Sequence, residues 1–377
     1  MRITYFLKKG FQFYPPCLAE VLYLNDLGVE LTVYHGNNSE HINRLFEQRG
    51  ISHITLKSDN FRKGKFATVA KFLEYTKEMK QTLKSIPKDE ILWFGNCESA
   101  MTLSSLLKGR RFVFTVLELY DHDRLTEYML RKVIGKAAII TCCEKHRAAI
   151  MKSRYNLKKI PYVMPNKPYC FGEKEISYKN AGGENRILSE VEKIKEKFIV
   201  LYQGMIGADR PLANIAKALK LLDNKDIVFL IMGKGDECLV EELKAYYENI
   251  VYLGFVPNPQ HLEVTKYANV GIANYDFSCL NNVFCAPNKI YEYACFSVPM
   301  ITSENIGLTE TVGKCGAAEC VDFTDIAAIK EGIERIVNDF DTYKSNALKF
   351  YQSTNNKETM ESILREIEAM EASTCQS

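Results

Sequence analysis

The stretch APNKIYEYACFSVPMI, residues 286–301, combines a proline, a lysine and a carboxylate in one short helical pattern. Pro287 presets its backbone φ and Asn288 is a favourable N-cap residue, so we expect a helix to begin here. The amide groups of residues 289–291 would then have no partner within the helix, and Lys289 adds a cation beside them. Amides and a cation together predict a cradle for a diphosphate.

Glu292 lies one turn into the same predicted helix, so its carboxylate can face the same ligand. A carboxylate in this place accepts hydrogen bonds from a ribose diol. The alternative is a capping role, but Glu292 follows Asn288 by four residues, one more than the usual capping box allows. The spacing therefore favours a ligand contact.

A second pattern of this kind is LYQGMIGADRPLANIAKAL, residues 201–219. A buried strand ends at Gly204, a loop with Gly207 follows, and Arg210 with the next proline opens a helix. Glycines let a backbone approach a ligand closely, and Arg210 adds positive charge where the helix dipole already favours an anion. A merely solvated arginine is the alternative, although a cation at a helix N-terminus is mildly unfavourable without a ligand. We therefore predict phosphate binding here.

Two weaker patterns favour structural roles. Gly233 and Gly235 in IMGKGDE form a lone GxG after a strand, which more often makes a tight turn than a dinucleotide fingerprint, although it can border a nucleotide. Asp121 and Asp123 form a DxD in YDHD, and Asp123 is well placed to cap the following helix. A metal site at this pair is the less favoured interpretation.

These patterns belong to an α/β chain in which strands alternate with helices almost throughout. Short β-rich runs separated by helical stretches imply a parallel sheet covered on both faces. The alternation breaks at the polar, glycine-containing segment 166–195 and then restarts. We therefore predict two doubly wound domains, 1–165 and 196–352, joined by a linker at 166–195 and followed by a tail helix within 353–377.

The composition of the 377 residues sets further limits. No apolar run approaches the ~20 residues of a membrane span, and the N-terminus lacks the apolar core of a signal peptide. The 12 cysteines are scattered without a CxxC pair, and only six histidines are present, so disulfides and structural zinc are not expected. We expect a cytoplasmic protein with no metal, no cofactor and no nucleic-acid partner.

Charge is distributed unevenly along the chain. Residues 1–165 hold 27 Lys and Arg against 16 Asp and Glu, while the remainder is acidic. Each basic residue taken singly is explained by a solvated surface. The segment NFRKGKFATVAKFLEYTKEMKQTLKSIPK, however, predicts a basic amphipathic helix, and RLTEYMLRKVIGK a shorter one. Such helices lie on anionic bilayers, so we expect peripheral contact with the inner face of a cell membrane.

The motifs occur in an order that resembles family 4 glycosyltransferases of the GT-B fold. The resemblance rests on YQG…DRPL…A, IMGKGD, VYLGFV, PNKIYEYACFSVPMI, LTETV, VLELYD and VMPNKP. It covers nearly the whole chain and is strongest from 198 to 312. It implies two Rossmann-like domains facing across a cleft, and a retaining transferase that uses a nucleoside-diphosphate sugar, usually without a metal.

The resemblance also implies roles for individual residues. Arg210 and Lys289 would hold the diphosphate, Glu292 the ribose, and Val256 would lie near the base. The loop from Tyr275 to Asn282 would lie near the donor sugar. The complete donor set is Gly204, Arg210, Gly233, Val256, Asn281, Asn282, Pro287, Asn288, Lys289, Ile290 and Glu292. The acceptor side would comprise Gly10, Tyr14, Glu118, Tyr120 and His122, with Arg210, Lys289 and Glu118 as the catalytic candidates.

Two positions depart from the family pattern. Phe284 stands where the family has the first glutamate of a pair, eight residues before Glu292, and Asn281, Asn282 or a backbone amide would have to replace it. Leu117 stands where a histidine precedes Glu118. The resulting prediction is transfer of a sugar to a glycan or polyprenyl-linked acceptor in capsule, O-antigen or exopolysaccharide synthesis. The alternatives are a nucleotide-sugar epimerase of the same shape and an inactive nucleotide-sugar-binding subunit.

Overall fold

A computed structural model describes residues 1–60, 67–170, 185–207 and 212–375 of the chain. The chain divides into two compact units. The N-unit consists of residues 1–169 together with 355–377, and the C-unit consists of residues 170–354. The sequence predicts limits at 165 and 353, close to these divisions. The central part of the predicted linker, 171–184, lies outside the described residues.

The N-unit is built on a seven-stranded parallel sheet in the order β3-β2-β1-β4-β5-β6-β7. Its strands are β1 Arg2–Leu7, β2 Glu30–His35, β3 Ser52–Thr55, β4 Ile91–Phe94, β5 Phe112–Thr115, β6 Ile139–Cys142 and β7 Tyr162–Val163. Its helices before residue 169 are α1 Pro15–Asp26, α2 Glu40–Gln48, α3 Ala67–Ser85, α4 Cys97–Ala100, α5 Arg124–Ile134 and α6 Lys145–Arg154. The strand order reverses between β1 and β4, so the loops after these strands diverge and leave a crevice at the carboxyl edge.

The central strands of the N-unit are continuous apolar runs because helices cover both faces of the sheet. All four residues of β4 and of β5 are buried. The ring of Phe6 on β1 stacks on Tyr34 of β2 and on Phe94 of β4, with centroids 5.2 Å apart in both pairs. These aromatic contacts hold the three strands whose ends form the centre of the carboxyl edge.

The last helix of the chain, the tail helix Asn356–Cys375, packs on the N-unit. Its Met360, Ile363 and Ile367 are fully buried or nearly so. Glu366 accepts hydrogen bonds from Lys159 Nζ at 2.7 Å and from the Tyr162 hydroxyl at 2.6 Å. The spacing of three and four residues between the buried side chains gives the helix one apolar face, and that face meets α1 and β7.

The C-unit is built on a six-stranded sheet in the order β10-β9-β8-β11-β12-β13, with every recorded pair parallel. Its strands are β8 Phe198–Gln203, β9 Ile227–Met232, β10 Ile250–Tyr252, β11 Val270–Ala273, β12 Met300–Ser303 and β13 Ala318–Val321. Its helices are α7 Asn185–Ile194, α8 Leu212–Leu221, α9 Glu237–Lys244, α10 His261–Thr265, α11 Leu280–Val283, α12 Asn288–Cys295, α13 Ile306–Leu308, α14 Ile326–Asn338 and α15 Phe340–Ser353. Here the order reverses between β8 and β11.

The end of the predicted linker is α7, a helix of the C-unit. Val191 and Ile194 are buried in the C-unit core, and Ile187 and Leu188 pack against them. These apolar positions recur with helical spacing within an otherwise polar segment, which is why composition alone indicates a linker there. The predicted fold class, two Rossmann-like parallel α/β domains, is confirmed for both units.

Candidate functional site

In the C-unit, the end of β8 brings a lysine over a glycine. A Cβ atom placed on Gly204 would lie 3.0 Å from Lys289 Nζ, and Gly204 has φ of +145°. A side chain at this position would therefore strain the backbone and crowd the ammonium group. Lys289 Nζ also lies 4.9 Å from the ring centroid of Tyr202 and 5.7 Å from that of Tyr275. The arrangement places a cation against the half-buried backbone of Gly204 at the carboxyl edge.

The glycines of the GxG pattern are explained by the approach of two backbones. A Cβ on Gly233 would lie 1.7 Å from the Gly204 oxygen, and one on Gly235 would lie 1.9 Å from the Ile206 oxygen. Ile206 N donates to the Lys234 oxygen at 3.0 Å. The turns after β8 and β9 are therefore in direct contact, and this contact requires both glycines without any ligand.

Helix α12 starts one residue earlier than the sequence predicts. Pro287 is the N-cap, with φ −74° and ψ 144°, and Asn288 is the first helical residue. The prediction that Asn288 caps the helix is wrong, because the fixed φ of proline already gives the extended N-cap geometry. No side chain at this N-cap accepts a hydrogen bond from the first turn among the described residues.

Glu292 lies on α12 with only 7 % of its surface exposed, and it has protein partners on both oxygens. Oε2 accepts a hydrogen bond from Gln203 Nε2 at 2.5 Å, and Oε1 lies 3.3 Å from His261 Nε2. The Thr265 hydroxyl donates to Gln203 Oε1 at 2.8 Å. Sequence reasoning missed Gln203, His261 and Thr265, because nothing local to each residue indicates its long-range partner.

The loop predicted to lie near the donor sugar is held by internal hydrogen bonds. Asn305 Nδ2 donates to the backbone oxygens of Asp276 and Asn282, both at 3.0 Å. Asn282 Nδ2 donates to Asp276 Oδ1 at 2.6 Å. Asn305, which the sequence does not single out, is buried and therefore fixes the loop from Tyr275 to Asn282 through its backbone oxygens. Asn281 is half-buried within α11.

Three other residues predicted to bind the donor differ in how far a ligand can reach them. Val256 and the side chain of Ile290 belong to the buried core of the C-unit, with 7 % and 1 % exposure. Only the main chain of Ile290 can therefore face a ligand, and Val256 offers at most an edge of its side chain. Arg210 lies outside the described residues.

In the N-unit, the predicted acceptor residues lie near a group of charged side chains, some partly buried and some exposed. Lys9 Nζ pairs with Glu98 Oε1 at 2.8 Å, across the reversal point between β1 and β4. Burial raises the pKa of Tyr14, with Glu98 adding to the shift, and burial also raises the pKa of Tyr120 far above its usual value, with Glu118 contributing. Both phenols therefore remain protonated at neutral pH and can donate hydrogen bonds. The cluster brings Tyr14, Glu118 and Tyr120 together.

Gly10 and His122 have different positions. Gly10 precedes a short 3-10 turn, Phe11–Phe13, and a Cβ placed there would lie 2.1 Å from the Asn37 oxygen. The glycine is thus required by packing against the β2 loop. The side chain of His122 is 63 % exposed, with Nδ1 3.9 Å from Asp121 Oδ1.

The structural role predicted for Asp123 is confirmed. Its Oδ1 accepts hydrogen bonds from the amides of Leu125 at 3.2 Å and Thr126 at 3.1 Å, and its Oδ2 accepts one from the Thr126 hydroxyl at 2.7 Å. The Thr126 hydroxyl is the largest cause of the lowered pKa of Asp123. Asp123 is therefore the N-cap of α5.

The chain is similar to known proteins both in sequence family and in fold. Residues 184–350 match the family described as glycosyl transferases group 1. The solved structure of HepE from Anabaena in complex with UDP is 12 % identical, with a TM-score of 0.69 over 98 % of this chain and 100 % of that one. Sucrose-phosphate synthase from Thermosynechococcus elongatus is 15 % identical, with a TM-score of 0.66 over 100 % and 98 % of the two chains. A glycosyltransferase from Rickettsia africae is 14 % identical, with a TM-score of 0.67 over 98 % of each. No curated protein sequence matches.

The structural likenesses show the fold, which is GT-B. The match over 184–350 covers the C-unit from α7 to α15, including Gly204, Lys289 and Glu292. The chain is therefore a glycosyltransferase with a group 1 domain in its C-unit.

Proposed function

We propose that the protein is a retaining glycosyltransferase of the family 4 type, which moves a sugar from a nucleoside-diphosphate sugar to an acceptor in surface-polysaccharide synthesis. The observation that carries this proposal is the position of Lys289, whose ammonium group lies over Gly204 at the start of α12. The cation of Lys289, the backbone of Gly204 and the N-terminus of α12 together stabilise the negative charge that develops on a leaving diphosphate. HepE, with the same fold, was solved with UDP and with UDP and glucose, which makes UDP-sugars the first donors to test.

The reaction follows from the chemistry of the leaving group. The bond between the anomeric carbon and the diphosphate oxygen breaks, and the acceptor hydroxyl oxygen bonds to that carbon from the same face. The hydroxyl proton passes to the departing phosphate. Lys289 and Arg210 stabilise the charge that accumulates there, while Glu292 holds the ribose. These roles and the same-face course rest on the resemblance to family 4.

The acceptor is proposed to bind the N-unit at the cluster of Tyr14, Glu118 and Tyr120. The two protonated phenols donate hydrogen bonds to sugar oxygens, and the exposed carboxylate of Glu118 orients the attacking hydroxyl. Gly10 lets the loop after β1 pack against the loop after β2, and His122 is the third candidate contact. Leu117, at the position of the family's histidine, leaves the orientation of the hydroxyl to Glu118 and the phenols.

A polyprenyl-linked acceptor would be delivered from a membrane surface, and the N-unit has features that suit one. Leu125 and Tyr128 on α5 are exposed by 67 % and 56 %, and Lys132 Nζ lies 4.1 Å from the Tyr128 ring centroid. On α3, Leu73 is exposed by 66 % beside Lys77, whereas Leu83, another apolar residue of the same predicted basic helix, is buried at 8 %. Among the described residues no helix is long and apolar enough to cross a bilayer.

Membrane contact is tested with vesicles. Salt-sensitive binding to vesicles rich in anionic lipid is expected, and Lys63, Lys65, Lys71 and Lys77 replaced by glutamate should abolish it, at about 1 kcal/mol for each surface charge. The first two of these lysines lie outside the described residues. If the unmodified protein does not bind anionic vesicles at low salt, the proposed acceptor is a soluble one and not a lipid-linked one.

The reaction itself is tested in two steps. Thermal unfolding is measured with UDP-, GDP-, ADP- and CDP-sugars, because a bound donor raises stability by mass action. The stabilising donor is then incubated with and without an acceptor panel. Transfer with retained anomeric configuration supports the proposal, and epimerised sugar without acceptor would support an epimerase instead. Binding without hydrolysis or transfer would indicate the inactive subunit that Phe284 and Leu117 suggest.

A further inference from the structure

Helix α10 carries two polar side chains, one turn apart, that contact the buried carboxylate of α12 or its hydrogen-bond partner. His261 Nε2 lies 3.3 Å from Glu292 Oε1, and the Thr265 hydroxyl donates to Gln203 Oε1 at 2.8 Å. Residues four apart on a helix share a face, so α10 reaches Glu292 both directly and through Gln203. Within the C-unit, Glu292 Oε1 is therefore contacted by His261 and Oε2 by Gln203.

The hydrogen bonds fix the orientation of each group. Gln203 Nε2 donates to Glu292 Oε2 at 2.5 Å, so the amide oxygen of Gln203 must be the acceptor. The Thr265 hydroxyl, which can also reach the His261 backbone oxygen at 3.0 Å, supplies the donor that this oxygen requires. A rotated Gln203 amide would oppose two oxygen atoms at the carboxylate, so Thr265 determines which end of Gln203 faces Glu292.

His261 carries a cost that a purely space-filling residue would avoid. Its Nδ1 is buried and has no hydrogen-bond partner among the described residues. An unsatisfied buried polar atom is destabilising, and an apolar side chain would remove it. The contact that an apolar side chain could not make here is the one from His261 Nε2 to Glu292 Oε1.

We propose that His261 and Thr265 are positioning residues that, with Gln203, orient the carboxylate of Glu292 toward the ribose of the donor. Each oxygen of Glu292 accepts one contact from the protein and keeps a further lone pair, so the carboxylate can still accept a ribose diol. Orienting the carboxylate before the donor binds removes the cost of ordering it on binding. This proposal rests on the proposed function, in which Glu292 contacts the ribose.

The test compares ribose with deoxyribose in matched variants. The probe is whichever of UDP, GDP, ADP and CDP stabilises the protein most, together with its 2′-deoxy and 3′-deoxy forms. His261→Leu should weaken binding of the ribonucleotide about tenfold. It should leave unchanged the affinity for the deoxynucleotide that lacks the hydroxyl contacted by Glu292. His261→Gln, which can place an amide N–H near the Nε2 position, should recover most of the loss, and Thr265→Val should weaken binding by a smaller factor. Lys266→Ala, exposed at the end of the same helix, is the control.

The kinetic readout separates positioning from general damage. In His261→Leu the donor KM should rise while the acceptor KM stays unchanged. Equal losses for ribonucleotides and deoxynucleotides, or no loss at all, would overturn the proposal. Glu292→Gln provides the distinction from the proposed function: if it weakens binding of the ribonucleotide and the deoxynucleotides equally, or weakens neither, the ribose role of Glu292 is lost and this inference falls with it. If Glu292→Gln selectively weakens binding of the ribonucleotide and His261→Leu does not, only the positioning role is refuted.

Discussion

Glu20, a buried carboxyl group in the centre of the N-unit, gives a sharp prediction about stability. It lies on α1 with 1 % exposure, and it accepts hydrogen bonds from the Tyr5 hydroxyl at 2.5 Å and the Thr115 hydroxyl at 2.8 Å. Burial raises the pKa of Glu20 to about 8, against the hydrogen bonds from Tyr5 and Thr115, which lower it. A Cβ on Gly95 would lie 2.2 Å from the Tyr5 hydroxyl, so the backbone leaves this group little room to move.

The sign of the pH dependence follows from this shift. Between the ordinary pKa of 4.5 and about 8, the folded state binds a proton at Glu20 that the unfolded state has lost. Stability is therefore highest below the ordinary pKa and falls as the pH rises, until it levels above pH 8. Each pKa unit corresponds to a little over 1 kcal/mol, so the whole shift gives a loss of about 3–5 kcal/mol.

The assay uses the single tryptophan of the chain. Trp93 is fully buried in the N-unit and donates to Thr115 Oγ1 at 3.1 Å, so its fluorescence reports on the unit that contains Glu20. Urea unfolding is measured from pH 5 to pH 9 for the original protein and for Glu20→Gln. The difference between their free energies of unfolding should change by roughly 1 kcal/mol per pH unit up to pH 8, in favour of the glutamine variant.

Subtracting the two curves cancels the titration of all other groups. Glu40→Gln, at an exposed position at the start of α2, is the control and should show a difference that does not change over this range. A difference for Glu20→Gln that is constant from pH 5 to pH 9 would refute the reasoning, because it would mean that Glu20 has the same pKa in the folded and unfolded states.

Three further predictions concern the site, the cap and the tail. Lys289→Ala should lower kcat/KM for the donor by about 10- to 100-fold, the scale of a charge-assisted contact of about 1.5–3 kcal/mol, and an unchanged value would remove Lys289 from the site. Asp123→Ala should destabilise the N-unit by about 0.5–2 kcal/mol because the N-cap of α5 is lost. A chelator should leave sugar transfer intact, since Asp123 has a structural role. Activity that is lost on chelation and restored by manganese would contradict the absence of a metal site at Asp121 and Asp123. Deletion of residues 355–377 should destabilise the N-unit by several kcal/mol, at about 1.5–3 for each buried side chain lost, and a truncated protein with the original Trp93 unfolding curve would exclude this.

Local sequence signals predicted the fold class and the elements that carry the candidate site. The alternation of strands and helices was sufficient for the fold class, because parallel sheets require buried, continuous strands. Gly204 and the start of α12 could be located since a glycine after a strand and a proline before a helix have local causes. The cap of α12 was misplaced by one residue because Pro287 satisfies the N-cap geometry itself.

The parts that could not be predicted depend on residues distant in the sequence. Gln203 meets Glu292 across 89 positions of the chain, and Glu20 meets Thr115 across 95. Neither glutamate has a neighbour in sequence that indicates burial with a polar partner. The basic helix α3 shows the same limit: Leu73 and Leu83 are apolar residues of the same helix, yet Leu73 is exposed and Leu83 is buried.

The N-unit is discontinuous in sequence, and this affects how the protein folds during synthesis. Its first 169 residues are synthesised before residues 170–354, and the tail helix is synthesised after both. At ~5–20 residues per second, the nascent N-unit waits about 10–40 s with the surface that Met360, Ile363 and Ile367 will cover still open. During that interval the C-unit can fold as an inserted domain, and the exposed surface is a target for chaperones. Completion of the N-unit therefore requires synthesis of the tail helix after the whole of the C-unit.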